Sequence, residues 1–155
     1  MKRRHLKLKI DSREQLPLEF SNRVFDEVVV EGLPFGDYWA ELEGKELPIV
    51  IERKALGDLF GTMTQGYKRF KKEMEKAKWA ECHMILAIEG KLSDVFVGFK
   101  HSEFSGESML KKLAMLRIRY DLEVMFFDGR DEMRRWVEEL FDAVRRNFTR
   151  EKVGE

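Results

Sequence analysis

Residues 36 to 58, GDYWAELEGKELPIVIERKALGD, constrain the fold more than any other stretch of the chain. Two runs of alternating apolar residues flank Gly44-Lys45, which reads as a β-hairpin with strands over 37–43 and 46–54. Glycine at the first central position suits a type II′ turn. The expected register opposes Glu43 with Glu46, Leu42 with Leu47, Ala40 with Ile49, Tyr38 with Ile51 and Asp37 with Glu52. Strand side chains alternate between faces, so the apolar members share one side and Asp37 and Glu52 share the other. Pro48 cannot donate to the ladder and marks an edge or irregular position. Opposed Cβ atoms lie roughly 4.5–5.5 Å apart, where like charges destabilise. A divalent cation reverses that sign, because hard oxygen ligands suit Mg²⁺. Lys54 shares the face of Glu52 and is placed to position or polarise a water nucleophile. Arg53 points to the apolar side and needs a carboxylate partner there. Spacing alone leaves a second reading open, a charged solvent face on a hairpin.

The residues themselves narrow the choice. Gly36-Asp37, a short gap, then Glu52-Arg53-Lys54 and Asp58 resemble the G-D, E-R-K-x-x-x-D signature of the XPF family of structure-specific DNA endonucleases. Ile10-Asp11-Ser12-Arg13-Glu14 is similar to the same family's first motif, a strand ending in D-x-R-E. Gly66-Tyr67-Lys68-Arg69-Phe70 resembles its basic helix, with Tyr67 where arginine is common. Leu116 to Tyr120 followed by Glu123 to Phe126 resembles its last helix-strand step. The likeness covers about residues 6 to 145.

The resemblance implies an α/β, restriction-endonuclease-like fold, a mixed central sheet flanked by helices, shared with PD-(D/E)xK nucleases. It implies a divalent-metal-dependent endonuclease cutting branched, flapped or forked DNA in repair or recombination. Asp37 and Glu52 would bind Mg²⁺ or Mn²⁺, with Asp11 nearby and the Arg53 carbonyl as a further ligand. Lys54 would orient or activate the attacking water, Arg53 would hold the acids in place, and Arg13, Glu14 and Asp58 would support them. For Asp58, helix capping or pairing with Arg53 is the alternative. The family works as dimers, so a homodimer is expected. The family's helix-hairpin-helix domain is not expected within these residues, which leaves substrate choice to the dimer surface or an accessory DNA-binding protein. A catalytically weak DNA-binding or dimerisation scaffold of the same fold is the alternative function, and a structural domain with ion-paired carboxylates is a third.

At 155 residues the chain is expected to form one domain, with its core over about 6–148. The 29 basic and 29 acidic side chains cancel, so any argument for a nucleic-acid partner has to be local. Cys82 is alone, which excludes an intrachain disulfide and fits a reducing compartment. LKLKI is too short and too charged for a signal-peptide core, and no run approaches the ~20 apolar residues that cross a bilayer. A cytoplasmic protein, nucleoid-associated if prokaryotic and without a membrane partner, is the expectation.

Leu6 to Ile10 alternates with lysines as a half-buried strand, ending in Asp11, and Val28-Val29-Val30 reads as a short extended segment. A helix over 55–63 should turn Leu56, Leu59 and Phe60 inward. The helix over 66–80 should bury Tyr67, Phe70, Met74 and Ala77. Its other faces carry Lys68, Arg69, Lys71, Lys72, Lys76 and Lys78 against Glu73 and Glu75, a surface suited to DNA phosphates or simply to solvent. Residues 83–89 form an apolar run suited to a central strand. Val95, Phe96, Val97 and Phe99 are expected to add satellite core, and His101 and Ser102 to lie in a polar loop, with DNA contact as the alternative for these two. Ser105 or Ser108 should start a helix ending near Tyr120, followed by a strand over 122–127. Met133, Trp136, Val137, Leu140, Phe141, Val144 and Phe148 then mark a long amphipathic helix whose stripe is core, with width to cover part of a partner.

Overall fold

The computed structural model describes residues 3–152, with side chains to residue 147, so the expected inward position of Phe148 lies outside the described side chains. Eleven elements follow one another: β1 (Leu6–Asp11), β2 (Glu27–Glu31), β3 (Tyr38–Leu42), β4 (Lys45–Ala55), α1 (Leu56–Met63), α2 (Tyr67–Trp79), β5 (His83–Glu89), α3 (Leu92–Val97), α4 (Gly106–Tyr120), β6 (Glu123–Phe127) and α5 (Arg130–Lys152). The strands form one mixed sheet in the order β2-β1-β3-β4-β5-β6. Only β3 runs against its neighbours; the other five are mutually parallel.

That topology decides where chemistry can sit. β1, β4, β5 and β6 all finish at the sheet edge where β3 begins. Open α/β sheets bind ligands outside the carboxyl ends of their strands. Here that edge receives Asp11 from β1, Asp37 just ahead of β3, Glu52 to Lys54 from β4 and Glu89 from β5.

Helices cover both faces, as the mixed-sheet expectation requires. Phe60, Met63, Phe70, Met74, Met109, Leu113 and Leu116 of α1, α2 and α4 pack on Trp39, Val50, Leu86 and Ile88. On the reverse face Met133, Val137, Phe141 and Val144 of α5, with Leu18, Val24 and Phe25, cover Leu8, Tyr38, Ile51 and Ile85. The α5 stripe is therefore spent inside its own chain, and Trp136 stays 39% exposed. Ser105 is the cap of α4, its hydroxyl accepting from the Ser108 N–H at 3.1 Å.

The hairpin departs from expectation at its closed end. Tyr38 opposes Ile51 as expected, but Glu41 opposes Glu46 and Leu42 opposes Lys45. The turn is therefore Glu43-Gly44, with φ of 51° and 79°, which is type I′ geometry and not II′. Leu47, Pro48 and Ile49 absorb the difference opposite Ala40, and the Trp39 indole N–H spans the irregularity to the Leu47 carbonyl at 2.6 Å. A proline inside the strand made the bulge necessary. The face assignment survives, because Tyr38, Ala40, Leu42, Leu47 and Ile51 still share one core cluster.

Two other expectations fail. β1 is buried on both faces and not half-buried: Lys9 lies inside the sheet, its ammonium 3.2 Å from Glu41, 3.0 Å from Glu46 and 4.8 Å from the Trp39 ring centroid. In the 92–99 segment only Val95 is fully buried, while Phe96 and Val97 are 65% and 86% exposed. Three consecutive residues of a helix point about 100° apart, so α3 cannot turn all of them inward.

Candidate active site

Gly36 explains how Asp37 reaches the sheet edge. Its φ of +72° is left-handed, and a Cβ there would stand 2.3 Å from Val50 Cγ2. Only glycine lets the chain press against β4 at that point. Asp37 then donates its N–H to the Ile51 carbonyl at 2.8 Å and lends its own carbonyl to the Asp11 N–H at 2.8 Å. Three strands are thereby stitched together at the start of β3.

The Asp37 carboxylate accepts the backbone N–H of Arg53 at 2.7 Å. Glu52, 4% exposed, lies beside it, close enough for the two carboxyls to share a hydrogen bond when one is protonated. Burial, followed by the charge of Glu14, pushes Asp37 up to about 6. Burial and the charge of Asp37 raise Glu52 well above the ordinary range. Lys54 places its ammonium 3.4 Å from Glu52 Oε2. Burial acts to lower the Lys54 pKa, but Glu52 and Asp37 outweigh it, so the ammonium is held more firmly protonated than in water.

Arg53 points away from these groups, as alternation demands. Its guanidinium grips Glu14 at 2.9 Å through both Nε and Nη2, and reaches Glu89 at 2.6 Å. Tyr38 donates its hydroxyl to Glu14 at 2.8 Å while accepting the Leu18 N–H at 2.9 Å. This bidentate, nearly dry network fixes the residue between Glu52 and Lys54. Asp58 is not Arg53's partner; it is exposed in the first turn of α1 at the rim of the site.

Asp11, 3% exposed, ends β1 with its carboxylate engaged by the Leu33 N–H at 2.9 Å and by Arg13 Nε at 2.9 Å. Arg13 also donates to the Leu33 carbonyl at 2.9 Å. Asp11 thus stands on the wall of the same concavity, about 430 Å³ in volume, as Asp37, Glu52 and Lys54. Among the described residues, no three His, Cys, Asp or Glu side chains already converge as a metal cage. What the site supplies is two mutually repelling carboxylates, Glu52 buried and Asp37 half-buried. That all-oxygen donor set matches a hard divalent cation, because each acid otherwise has to carry a proton or the repulsion.

Of the basic helix, Arg69 lines this concavity, whereas Lys68, Lys71 and Lys72 are exposed outside it. Three participants escaped the sequence reading. Glu89, at the end of β5, completes the grip on Arg53; its signal was the unmet need of Arg53 for a partner on the apolar side. Tyr38 counted as core, and its hydroxyl is polar cargo on that core position. Glu73 of α2 also lines the concavity; burial raises its pKa, and the charges of Lys54 and Arg13 offset part of that rise. It sits four residues after Arg69, one turn along the same face, which is the signal that could have found it.

The chain matches the ERCC4 domain over residues 10–140. Its structure is similar to XPF from Aeropyrum pernix, with a TM-score of 0.64 at 19% identity, covering 86% of this chain and 59% of that one. The same archaeal protein in complex with DNA is similar at a TM-score of 0.64 and 19% identity, with 89% of this chain and 64% of that one covered. The present chain thus spans about three fifths of the length of those archaeal chains. No curated protein sequence matches it. Likeness at this identity shows the fold, which is the restriction-endonuclease-like sheet expected from the sequence.

Proposed function

The chain belongs to the ERCC4 domain family, and from that premise we propose that it is a divalent-metal-dependent endonuclease acting on branched, flapped or forked DNA. The observation that carries this reading is the juxtaposition of half-buried Asp37 with buried Glu52, whose Oε2 lies 3.4 Å from the Lys54 ammonium. A bound Mg²⁺ or Mn²⁺ would supply Lewis-acid stabilisation of charge on the phosphate and leaving oxygen.

The chain's own residues do the rest. Asp37 and Glu52 would hold the cation, with Asp11 beside them in the same concavity. The Arg53 N–H fixes the orientation of Asp37, and the grip of Arg53 on Glu14 and Glu89 prevents the strand end from shifting. Lys54, whose ammonium lies 3.4 Å from Glu52, orients or activates the attacking water and offsets phosphate charge. Arg13 and Arg69 meet the scissile strand at the rim, and Lys68, Lys71 and Lys72 follow the backbone further out.

The proposal takes residues 1–155 as a single nuclease unit and includes a homodimer and an accessory DNA-binding partner. Because α5 buries its own stripe, a dimer needs surface beyond that helix, with Trp136 its contribution. Sedimentation that shows only monomer at tens of micromolar would remove the dimer. Among the described residues no helix is long and apolar enough to cross a membrane.

The test is a panel of flap, fork, nicked, single-stranded and blunt duplex DNAs with Mg²⁺ or Mn²⁺, comparing the native protein with Asp37→Asn. Metal-dependent cutting that needs a junction and vanishes in the variant is expected. Full cutting in EDTA, or by the variant, refutes the reading.

A further inference from the structure

Across α1 from the acidic pair lies a second concavity, about 580 Å³ in volume. Gly57, Phe60, Gly61 and Thr64 line it at i, i+3, i+4 and i+7, one face of the helix, and the loop over 99–104 supplies its opposite wall. Ala55 and Asp58 line the first concavity, so a single helix, roughly 10–12 Å across with its side chains, divides the two hollows.

Its aromatic lining comes from the half-buried Phe99 and Phe104 rings, with Phe60 beneath at 1% exposure, and its polar edge includes the acidic Glu103. The Phe60 and Phe99 rings stand 5.9 Å apart, and Phe99 meets His101 edge-on at 5.3 Å. Gln65 and Ser102 bring hydrogen-bonding groups, and Lys100 and His101 lie exposed along the loop. The two glycines of α1 differ in kind. At Gly57 packing favours glycine, since a Cβ there would come within 3.1 Å of the Phe99 ring, which would have to give way. At Gly61 an added Cβ meets nothing within 4 Å and the backbone is helical, so neither packing nor conformation calls for glycine. Mid-helix glycine weakens a helix relative to alanine. What it does provide is an open floor.

We propose that this groove receives an unpaired nucleobase from the single-stranded arm beside the cleavage site. The proposal rests on the nuclease reading and adds the source of its substrate preference. Flat aromatic faces take any base, and polar edges meet its rim, whereas a base stacked within a duplex presents no free face. The acidic pair by itself recognises only a phosphodiester, which every DNA carries. A junction next to the scissile bond is the one substrate that fills both hollows together.

Gly61→Leu projects into the groove from a position where the added Cβ meets nothing within 4 Å, and the melting temperature should hold or rise. His101→Ala removes one edge and serves should the first variant fail to fold. Binding is read in EDTA by fluorescence anisotropy with labelled oligo-dT, a fork and a blunt duplex. A second readout is 2-aminopurine in the unpaired arm, quenched when it stacks. In Gly61→Leu, affinity for the fork and for oligo-dT should fall about fivefold or more, the quenching should vanish, and duplex affinity should not change. His101→Ala should move the same readouts in the same direction by less. Unchanged fork affinity in a folded Gly61→Leu protein overturns the proposal, as does native protein that binds forks no tighter than duplex. Quenching by a native protein that never cuts DNA would sink the nuclease reading and leave the groove standing. Cutting with unaltered fork preference after plugging would sink the groove alone.

Discussion

The backbone N–H of Arg53 lies 2.7 Å from Asp37 Oδ2, so the residue next to one proposed cation ligand holds the other. Its side chain, on the reverse face, grips Glu14 and Glu89. One residue therefore ties both carboxylates of the site to the interior of the sheet.

Breaking that tie should cost stability before it costs chemistry. Arg53→Ala leaves Glu14 buried without its cation, and losing one partner of a buried pair costs about 3–5 kcal/mol. Glu14 keeps the Tyr38 hydroxyl, so the lower end, about 3 kcal/mol, is expected from denaturant unfolding. Arg53→Lys should recover only part of this, because an ammonium cannot reproduce the two-pronged contact with Glu14. A lysine variant as stable as the native protein would contradict the geometric role.

Gly36→Ala tests why glycine precedes Asp37. The substitution meets Val50 Cγ2 at 2.3 Å and imposes a left-handed φ on a residue with a side chain. Overpacking of about 1–3 kcal/mol and a conformational cost of about 1 kcal/mol together predict a loss of about 2–4 kcal/mol. Cleavage should fall further than folding does, because Asp37 moves with the backbone. Normal stability with normal activity would show that this close approach is dispensable.

The hairpin shows what the sequence could and could not disclose. Alternation placed Asp37 and Glu52 together, and it placed Arg53 opposite them, because period-2 patterning survives a local slip of two residues. The turn type was not legible, since Pro48 forces a bulge whose size depends on how Trp39 and Leu47 pack. Lys9 looked like the wet side of β1, yet it is enclosed between Glu41 and Glu46. Pattern reading sees one strand at a time and cannot see two others closing over it. Glu73 was hidden for the same reason: its helix was assigned a charged face, and which part of that face leans over the sheet edge is a tertiary fact.

The cations of α2 should separate by position. Lys68, Lys71 and Lys72 lie outside the concavity, so their triple alanine variant should weaken duplex and fork binding alike. Each lost phosphate contact lowers the slope of log K against log salt by about 0.9, giving about 2 to 3 in all. Arg69 lines the site, so Arg69→Ala should reduce the cleavage rate more than affinity. Identical salt slopes for native and triple variant would remove α2 from the DNA interface.

Acid titration offers the most direct test of the carboxylate pair, because the sign is unusual for an aspartate. Asp37 is raised from 3.8 to about 6 by burial first and by the charge of Glu14 second. The folded chain therefore holds a proton that the unfolded chain has released. Stability from this group is complete below the unfolded value and is lost as pH rises through about 6. The shift corresponds to about 2–3 kcal/mol at most, and Glu52 is displaced in the same direction by burial and by Asp37. Asp37→Asn carries no such charge. In EDTA its stability should match the native protein near pH 4 and exceed it by about 2 kcal/mol at pH 7.5. Mn²⁺ at pH 7.5 should raise the native melting temperature and leave that of the variant unmoved, since only the native pair has repulsion for a cation to relieve. A constant stability gap between the two proteins from pH 4 to 7.5, or an equal response to Mn²⁺, would mean that the two acids do not strain one another, and the case for a shared cation would lose its physical basis.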